Sequence, residues 1–285
     1  MKINYYSGAG NLFSIIDNRS LKMNDQQLSN LARIACTKTN NFTIRTEGLI
    51  SFNHFDGKKF NISFFNPDGS SGMMCGNGAR SAISFIQAIG LTKSVDFGAP
   101  QKIIIELAGR EYPATINGNI ISVSFPKHDK LELNYEIKIN DLTIYGDLVD
   151  VGSPHLLFDY SHIINHNLFS FRHYPLEDFA APIRWNKKLF PNGINVSIYD
   201  VESANIVHLR TYERGVEAET GACGTAALST ALVLYKKGLT NKTLQIVPTS
   251  KIPLKVEILT DINNEIIGFN LIGTAEKIGE ALIEI

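Results

Sequence analysis

Along most of the chain apolar and polar residues alternate with a period of two. Phe60-Asn61-Ile62-Ser63-Phe64, Ile121-Ser122-Val123-Ser124-Phe125 and Leu254-Lys255-Val256-Glu257-Ile258 each turn one face to a core and the other to water. That is the pattern of half-buried antiparallel strands. Over Asp25 to Cys36 the period becomes helical, with Leu28, Leu31, Ala32 and Ala35 on one face. Two further helices are predicted, from Cys75 through GNGARSAISFIQAIGLT and from Cys223 through GTAALSTALVLYKKGLT. In each, the glycine of a closing Gly-Leu-Thr stands as the C-terminal stop.

These two helices match each other. With Cys75 laid on Cys223, identities continue at Gly76/Gly224, Ala79/Ala227, Ser81/Ser229, Gly90/Gly238, Leu91/Leu239 and Thr92/Thr240. Two buried helices rich in small residues would share some of these by chance, but the common Cys-Gly start points to an internal duplication. A repeat of this length fits two related domains. The expected fold is α/β in the α+β sense: each domain is a mostly antiparallel sheet or barrel wrapped around a central helix, with an active site in the cleft between the domains. Asn117-Gly118-Asn119 is a turn signal between strand patterns. It puts the crossover within Ala114 to Asn119 and the domains at 1–118 plus 274–285 and at 119–273.

Composition narrows the partners. Of 285 residues, 44% are hydrophobic and 19% charged, with a formal net charge of -1. Neither a disordered chain nor a nucleic-acid surface fits that balance, whereas a small-molecule partner does. The opening MKINYYSGAGNLFSIIDN lacks the long apolar region of a secretory signal, and no apolar run is long enough to span a bilayer. A cytoplasmic protein without membrane contact is the expectation. The three cysteines lack the paired spacing of a disulfide framework or a structural metal cage, so no metal is expected.

Each Cys-Gly opens a helix, where free backbone N–H groups and the positive end of the dipole favour negative charge. Such a place activates a thiol and accepts a carboxylate. Two of them facing each other would put a sulfur on each face of an amino-acid α-carbon. Inversion needs that arrangement, because one face loses a proton while the other gains one. Cys75 and Cys223 are therefore the candidate acid/base pair, and the chemistry needs no cofactor. No lysine sits in a motif that points to pyridoxal phosphate. Cys36, late in its helix and outside the duplication, reads as a buried structural thiol.

With these residues in place, the chain resembles the diaminopimelate epimerase family, cofactor-independent enzymes with two related domains and a catalytic cysteine from each. SGAGNLFSIID is similar to the family's glycine-rich opening and implies Asn11 as a substrate-binding residue. NPDGSSGMMCGNGAR aligns Asn66, Cys75, Gly76 and Asn77 with substrate-contacting and catalytic positions. VGSPH brings His155, NGINVS brings Asn195, and YERGVEAETGACGTAA brings Glu213, Arg214, Cys223, Gly224 and Thr225. The resemblance implies that His155 and Glu213 tune the two thiols. It also implies that Arg214 and the asparagines hold the distal end of the substrate.

Two departures stand beside the likeness. NNFTIRTEGLI carries Glu47-Gly48 where the family has Asp-Gly, and Ser153 stands where Gly-Asn-Pro-His has asparagine. Gly48 and Ser153 are thus lesser candidates for substrate contact. Ala226 replaces a usual glycine inside the second helix. The resemblance implies interconversion of LL- and meso-2,6-diaminopimelate in lysine and peptidoglycan precursor synthesis. Two alternatives stay open: a racemase of another amino acid, such as histidine, and a non-catalytic binding or redox-switch protein using a Cys75–Cys223 disulfide. A homodimer is the expected assembly.

Overall fold

The computed structural model describes residues 1–37, 45–71, 75–92, 100–139 and 142–282. Asn40 to Ile44 of the departing loop and Gly72 to Met74 of the first cysteine motif lie outside the described residues. The chain divides into two compact units, Met1–Ser124 with Ile272–Ile285, and Phe125–Leu271.

The first unit starts with β1 (Lys2–Gly8) and β2 (Asn11–Asp17), followed by helices α1 (Asn18–Leu21) and α2 (Asp25–Ala35). Next come β3 (Leu49–Phe55), β4 (Lys59–Phe65), α3 (Gly76–Ala88), β5 (Gln101–Leu107), β6 (Arg110–Asn117) and β7 (Ile120–Pro126). The second unit holds β8 (Lys130–Ile139), β9 (Leu142–Asp150), β10 (Pro154–Asp159), α4 (Leu176–Arg184), β11 (Asn195–Ser203) and β12 (Ile206–Glu213). It continues through β13 (Ala218–Glu219), α5 (Gly224–Lys236), β14 (Thr243–Val247) and β15 (Leu254–Thr260). The last strand, β16 (Ile266–Leu282), begins in the second unit and ends in the first.

Strand order in the first unit is β16-β1-β2-β3-β4-β5-β6-β7, and β7 stands again beside β16, the closure of a barrel. In the second unit the order is β9-β10-β11-β12-β14-β15-β16, with β8 added outside β9. The same sequence of pairings runs through both. β1–β2, β3–β4 and β5–β6 are antiparallel while β2–β3 and β4–β5 are parallel. β9–β10, β11–β12 and β14–β15 are antiparallel while β10–β11 and β12–β14 are parallel. The duplication read from two helices thus extends through the strands on either side of them.

The sheet is mostly antiparallel, as expected, and the parallel pairs β2–β3, β4–β5, β10–β11 and β12–β14 are the part that alternation does not announce. Period-two patterning reports which face of a strand is buried and carries no information on the direction of its neighbour. Parallel neighbours require a crossover, usually helical. Here α2 lies between β2 and β3, α3 between β4 and β5, α4 between β10 and β11, and α5 between β12 and β14. Each cysteine helix is therefore the second crossover of its unit.

The expected crossover at Ala114 to Asn119 is corrected. Asn117 pairs with Ile120, so Asn117-Gly118-Asn119 closes an ordinary hairpin, and the division falls near the end of β7, between Ser124 and Phe125.

Helix α5 is buried at every position from Gly224 to Leu234. Helices that are apolar all round belong at the centre of a sheet wrap. Each fully buried Leu or Val contributes roughly 1.5–3 kcal/mol. Helix α3 is also buried from Gly76 to Ile83, and its small residues allow close approach: a Cβ on Gly8 of β1 would lie 2.5 Å from the Asn77 carbonyl oxygen. Both helices end as the glycines predict. Gly90 and Gly238 have φ of 75° and 73°, and Leu91 and Leu239 donate back to the Ile86 and Leu234 carbonyls. On α2, Leu28, Leu31, Ala32 and Ala35 are the buried residues. Cys36 caps this helix in the core, where burial pushes its thiol up to about 11.

Candidate active site

Cys75 and Cys223 occupy the same position in their units, the residue just before the first turn of the buried helix. Their backbones agree closely, φ -114° and ψ 110° for Cys75 against φ -118° and ψ 116° for Cys223. Both carbonyls accept the first helical bond, from Ala79 at 2.8 Å and Ala227 at 3.0 Å. A cysteine at the cap holds its sulfur beside N–H groups that have no intrahelical acceptor. The Gly78 N–H donates to Cys75 Sγ at 3.3 Å. Gly76 and Gly224 are the first residues of the two helices and are buried.

Around Cys75 the first unit places Asn77 and Arg80. Asn77 is buried and its Oδ1 accepts from Arg80 Nη2 at 2.6 Å. Arg80 is fully buried. Burial pulls its guanidinium down to about 10, and the charge of Cys75 acts the other way. Asn11 is buried at the start of β2, just after a hairpin turn at Ala9 and Gly10 with φ of 55° and 92°. Two positive φ values are what a two-residue type I′ hairpin demands. Asn66 ends β4 in a turn, where its Nδ2 donates to Ser70 Oγ at 2.9 Å. Gly48 has a packing reason for being glycine, since a Cβ there would run into the Phe64 ring.

Around Cys223 the second unit gathers more hydrogen-bonding groups. Thr225 Oγ1 lies 3.5 Å from Cys223 Sγ and 2.8 Å from His155 Nε2, forming a chain from sulfur to imidazole. Burial, helped by the Arg214 charge, pulls His155 down to about 3, so its ring is neutral at ordinary pH. Glu213 is the other neighbour. Burial raises its carboxyl, while hydrogen bonds from Thr220 and Cys223 pull it back down. A buried carboxyl with its proton affinity raised, a neutral imidazole and a hydroxyl put three proton-handling groups around one sulfur.

Asn195 sits beside His155 in the parallel register of β10 and β11. Its Nδ2 donates to Ser153 Oγ at 2.9 Å and to the Pro154 carbonyl at 2.8 Å, and its Oδ1 accepts the Arg214 N–H at 2.9 Å. Its amide hydrogens are spent inside the protein, so this side chain fixes the turn that presents Arg214. Ser153 serves the same clamp. The Arg214 guanidinium is half-buried; Nη1 donates to the Asn192 carbonyl at 3.2 Å, and burial with the charge of Arg184 lowers it.

Arg80 and Thr220 are absent from the residues that sequence reasoning proposes. Arg80 had a visible signal, a lone arginine among small and apolar residues in GNGARSAISF. Thr220 had none. Among the described residues no group of three or more His, Cys, Asp or Glu is arranged to hold a metal ion, and no helix is long and apolar enough to cross a membrane.

Known proteins match this chain over nearly its whole length. The family profile described as diaminopimelate epimerase matches residues 3–116. The diaminopimelate epimerase of Flavobacterium psychrophilum is 31% identical over 242 residues, covering 85% of this chain and 84% of the relative. That of Aquifex aeolicus is 29% identical over 284 residues, covering 96% and 94%. Among solved structures, a probable proline racemase from Agrobacterium radiobacter superposes with a TM-score of 0.74 at 12% identity, covering 100% of this chain and 93% of the other. At that identity the likeness concerns the fold.

Proposed function

The chain belongs to the diaminopimelate epimerase family, and from that premise we propose that it inverts the α-carbon of a free amino acid with Cys75 and Cys223. It is an isomerase in this reading, and its substrate is 2,6-diaminopimelate, interconverted between the LL and meso forms for lysine and peptidoglycan precursors. The observation that carries the reading is the matched pair of cap cysteines, each at the opening of a buried helix with nearly the same φ and ψ.

In the forward step a thiolate takes the α-proton and the opposite thiol gives its own proton to the other face. The two sulfurs have then exchanged charge, and the reverse reaction starts from there. Charge built on the α-carbon flows into the substrate carboxylate. Helix N–H groups are the preorganised donors for it, which is where such stabilisation is largest. His155, Thr225 and Glu213 keep Cys223 supplied with hydrogen-bonding partners in either protonation state. Arg214 offers a guanidinium fork for a second carboxylate. No cofactor is required for this chemistry.

A second reading keeps the reaction and changes the substrate to another amino acid. It is favoured by Asn195, whose amide hydrogens are bound to Ser153 and Pro154 instead of being offered to a ligand.

Deuterium wash-in at the α-carbon, followed across a panel of amino acids with chiral chromatography of the products, separates these readings. Exchange confined to diaminopimelate upholds the first, and exchange confined to another amino acid replaces it with the second. Absence of exchange across the panel removes both. Cys75→Ala and Cys223→Ala are expected to abolish turnover under reducing conditions. Retained activity in either one would leave two-base inversion without its pair.

A further inference from the structure

The two cysteines share a backbone geometry, but their surroundings carry different charge. Arg80 lies five residues beyond Cys75 on α3, and side chains of a helix lean back toward its N-terminus. The bond from Nη2 to Asn77 Oδ1 at 2.6 Å places the guanidinium at the level of the first turn, beside the cap. The side chain is fully buried, and neither Nε nor Nη1 has a hydrogen-bond partner among the described residues. Arg80 is the one ionisable residue within α3. The helix packs on β1, β2 and β3, whose titratable side chains are Lys2, Tyr5, Tyr6, Asp17 and His54. None of them bonds or ion-pairs with Arg80, and its charge interaction is with Cys75.

A buried guanidinium without a carboxylate is costly, and a nearby anion relieves that cost. At the equivalent place on α5 stands Leu228, buried and apolar. Glu213 and, through Thr225, His155 are among the groups that face Cys223. Neither supplies positive charge: a carboxyl carries none in either protonation state, and burial keeps the imidazole neutral.

We infer that Arg80 is a positioning residue that holds Cys75 as the thiolate in the resting enzyme, so that Cys75 starts as the base and Cys223 as the acid. This rests on the two-cysteine reading above. The step balances: the substrate proton goes to the Cys75 sulfur, the Cys223 thiol proton goes to the opposite face, and the negative charge passes from one sulfur to the other. One direction of the reaction begins from the preset state, and the other requires the charge to reside on Cys223.

The test is the pH profile of alkylation by iodoacetamide, read separately for the Cys75 and Cys223 peptides by mass spectrometry in the full-length protein under reducing conditions. In the unmodified chain Cys75 is expected to react with a lower midpoint than Cys223. Arg80→Met raises the Cys75 midpoint by roughly one unit or more, a loss of about tenfold in its alkylation rate near neutral pH. The Cys223 profile stays where it was, and Arg80→Lys recovers most of the effect. An unmoved Cys75 profile in Arg80→Met with native circular dichroism overturns the inference. So does a Cys75 midpoint at or above that of Cys223 in the unmodified chain, a comparison that stands even if Arg80→Met fails to fold. Absence of α-proton exchange in every amino acid tested would remove the epimerase reading, while the alkylation profiles would still decide the role of Arg80.

Discussion

His155 and Thr225 meet side chain to side chain, Nε2 to Oγ1 at 2.8 Å, with the imidazole buried and its Nδ1 without a hydrogen-bond partner among the described residues. Removing the hydroxyl strands the second ring nitrogen as well. Thr225→Val is expected to cost about 1–3 kcal/mol of stability, the penalty for an unmet buried polar group. Urea unfolding measures it, and Thr225→Ser should restore most of the loss. Because the same hydroxyl touches Cys223 Sγ, α-proton exchange should fall in Thr225→Val and recover in Thr225→Ser.

The same histidine sets a pH dependence of stability. Burial and Arg214 lower it to about 3 in the folded chain, against about 6.5 when unfolded. The unfolded chain therefore binds a proton that the native one does not between those values. The stability linked to this group is fully present above the unfolded value and is lost as pH falls toward the folded one. Urea midpoints of the unmodified chain should decline across that window, and His155→Gln should flatten the decline. An equally steep decline in the variant would assign acid sensitivity to other groups.

Gly8 is held to glycine by contact, since an added Cβ would lie 2.5 Å from the Asn77 carbonyl oxygen and 2.8 Å from Ser81 Oγ. The backbone oxygen cannot swing away as a side chain could. Gly8→Ala should destabilise the chain by about 1–3 kcal/mol through overpacking. It should also move the start of α3, and with it Cys75. Thermal unfolding combined with the Cys75 alkylation rate would register both effects, and unchanged values would show that β1 and α3 can separate cheaply.

Cys36 is a contrasting thiol. Its raised value of about 11 follows mainly from burial, with Thr46 opposing. It should resist alkylation in the native state and react on unfolding. Cys36→Ala should leave α-proton exchange intact and cost on the order of 1 kcal/mol, the loss expected for a small buried apolar side chain. Loss of exchange in a stably folded Cys36→Ala would bring Cys36 into the chemistry.

The sequence by itself determined the three principal helices, the glycines that stop the cysteine helices, the burial of Cys36 and the equivalence of Cys75 and Cys223. These are properties of neighbouring residues: a helical period, a cap and a stop are written within one or two turns of chain. Tertiary structure decided the rest. Alternation in Phe60 to Phe64 reveals a buried face, but whether that strand's neighbour runs parallel depends on the long crossover from Asn66 to Pro100. The turn at Asn117-Gly118-Asn119 was legible as a turn, and only the pairing of β6 with β5 and of β7 with β16 placed both of its sides in one unit. Arg80 stands out in GNGARSAISF as a lone charge, but only the wrap of strands removes it from water. Asn195 reads as an open amide until Ser153, Pro154 and the Arg214 backbone take up its bonds. Local sequence specifies conformation, whereas protonation and hydrogen-bond availability depend on which distant groups share the interior, and that sharing exists only in the folded chain.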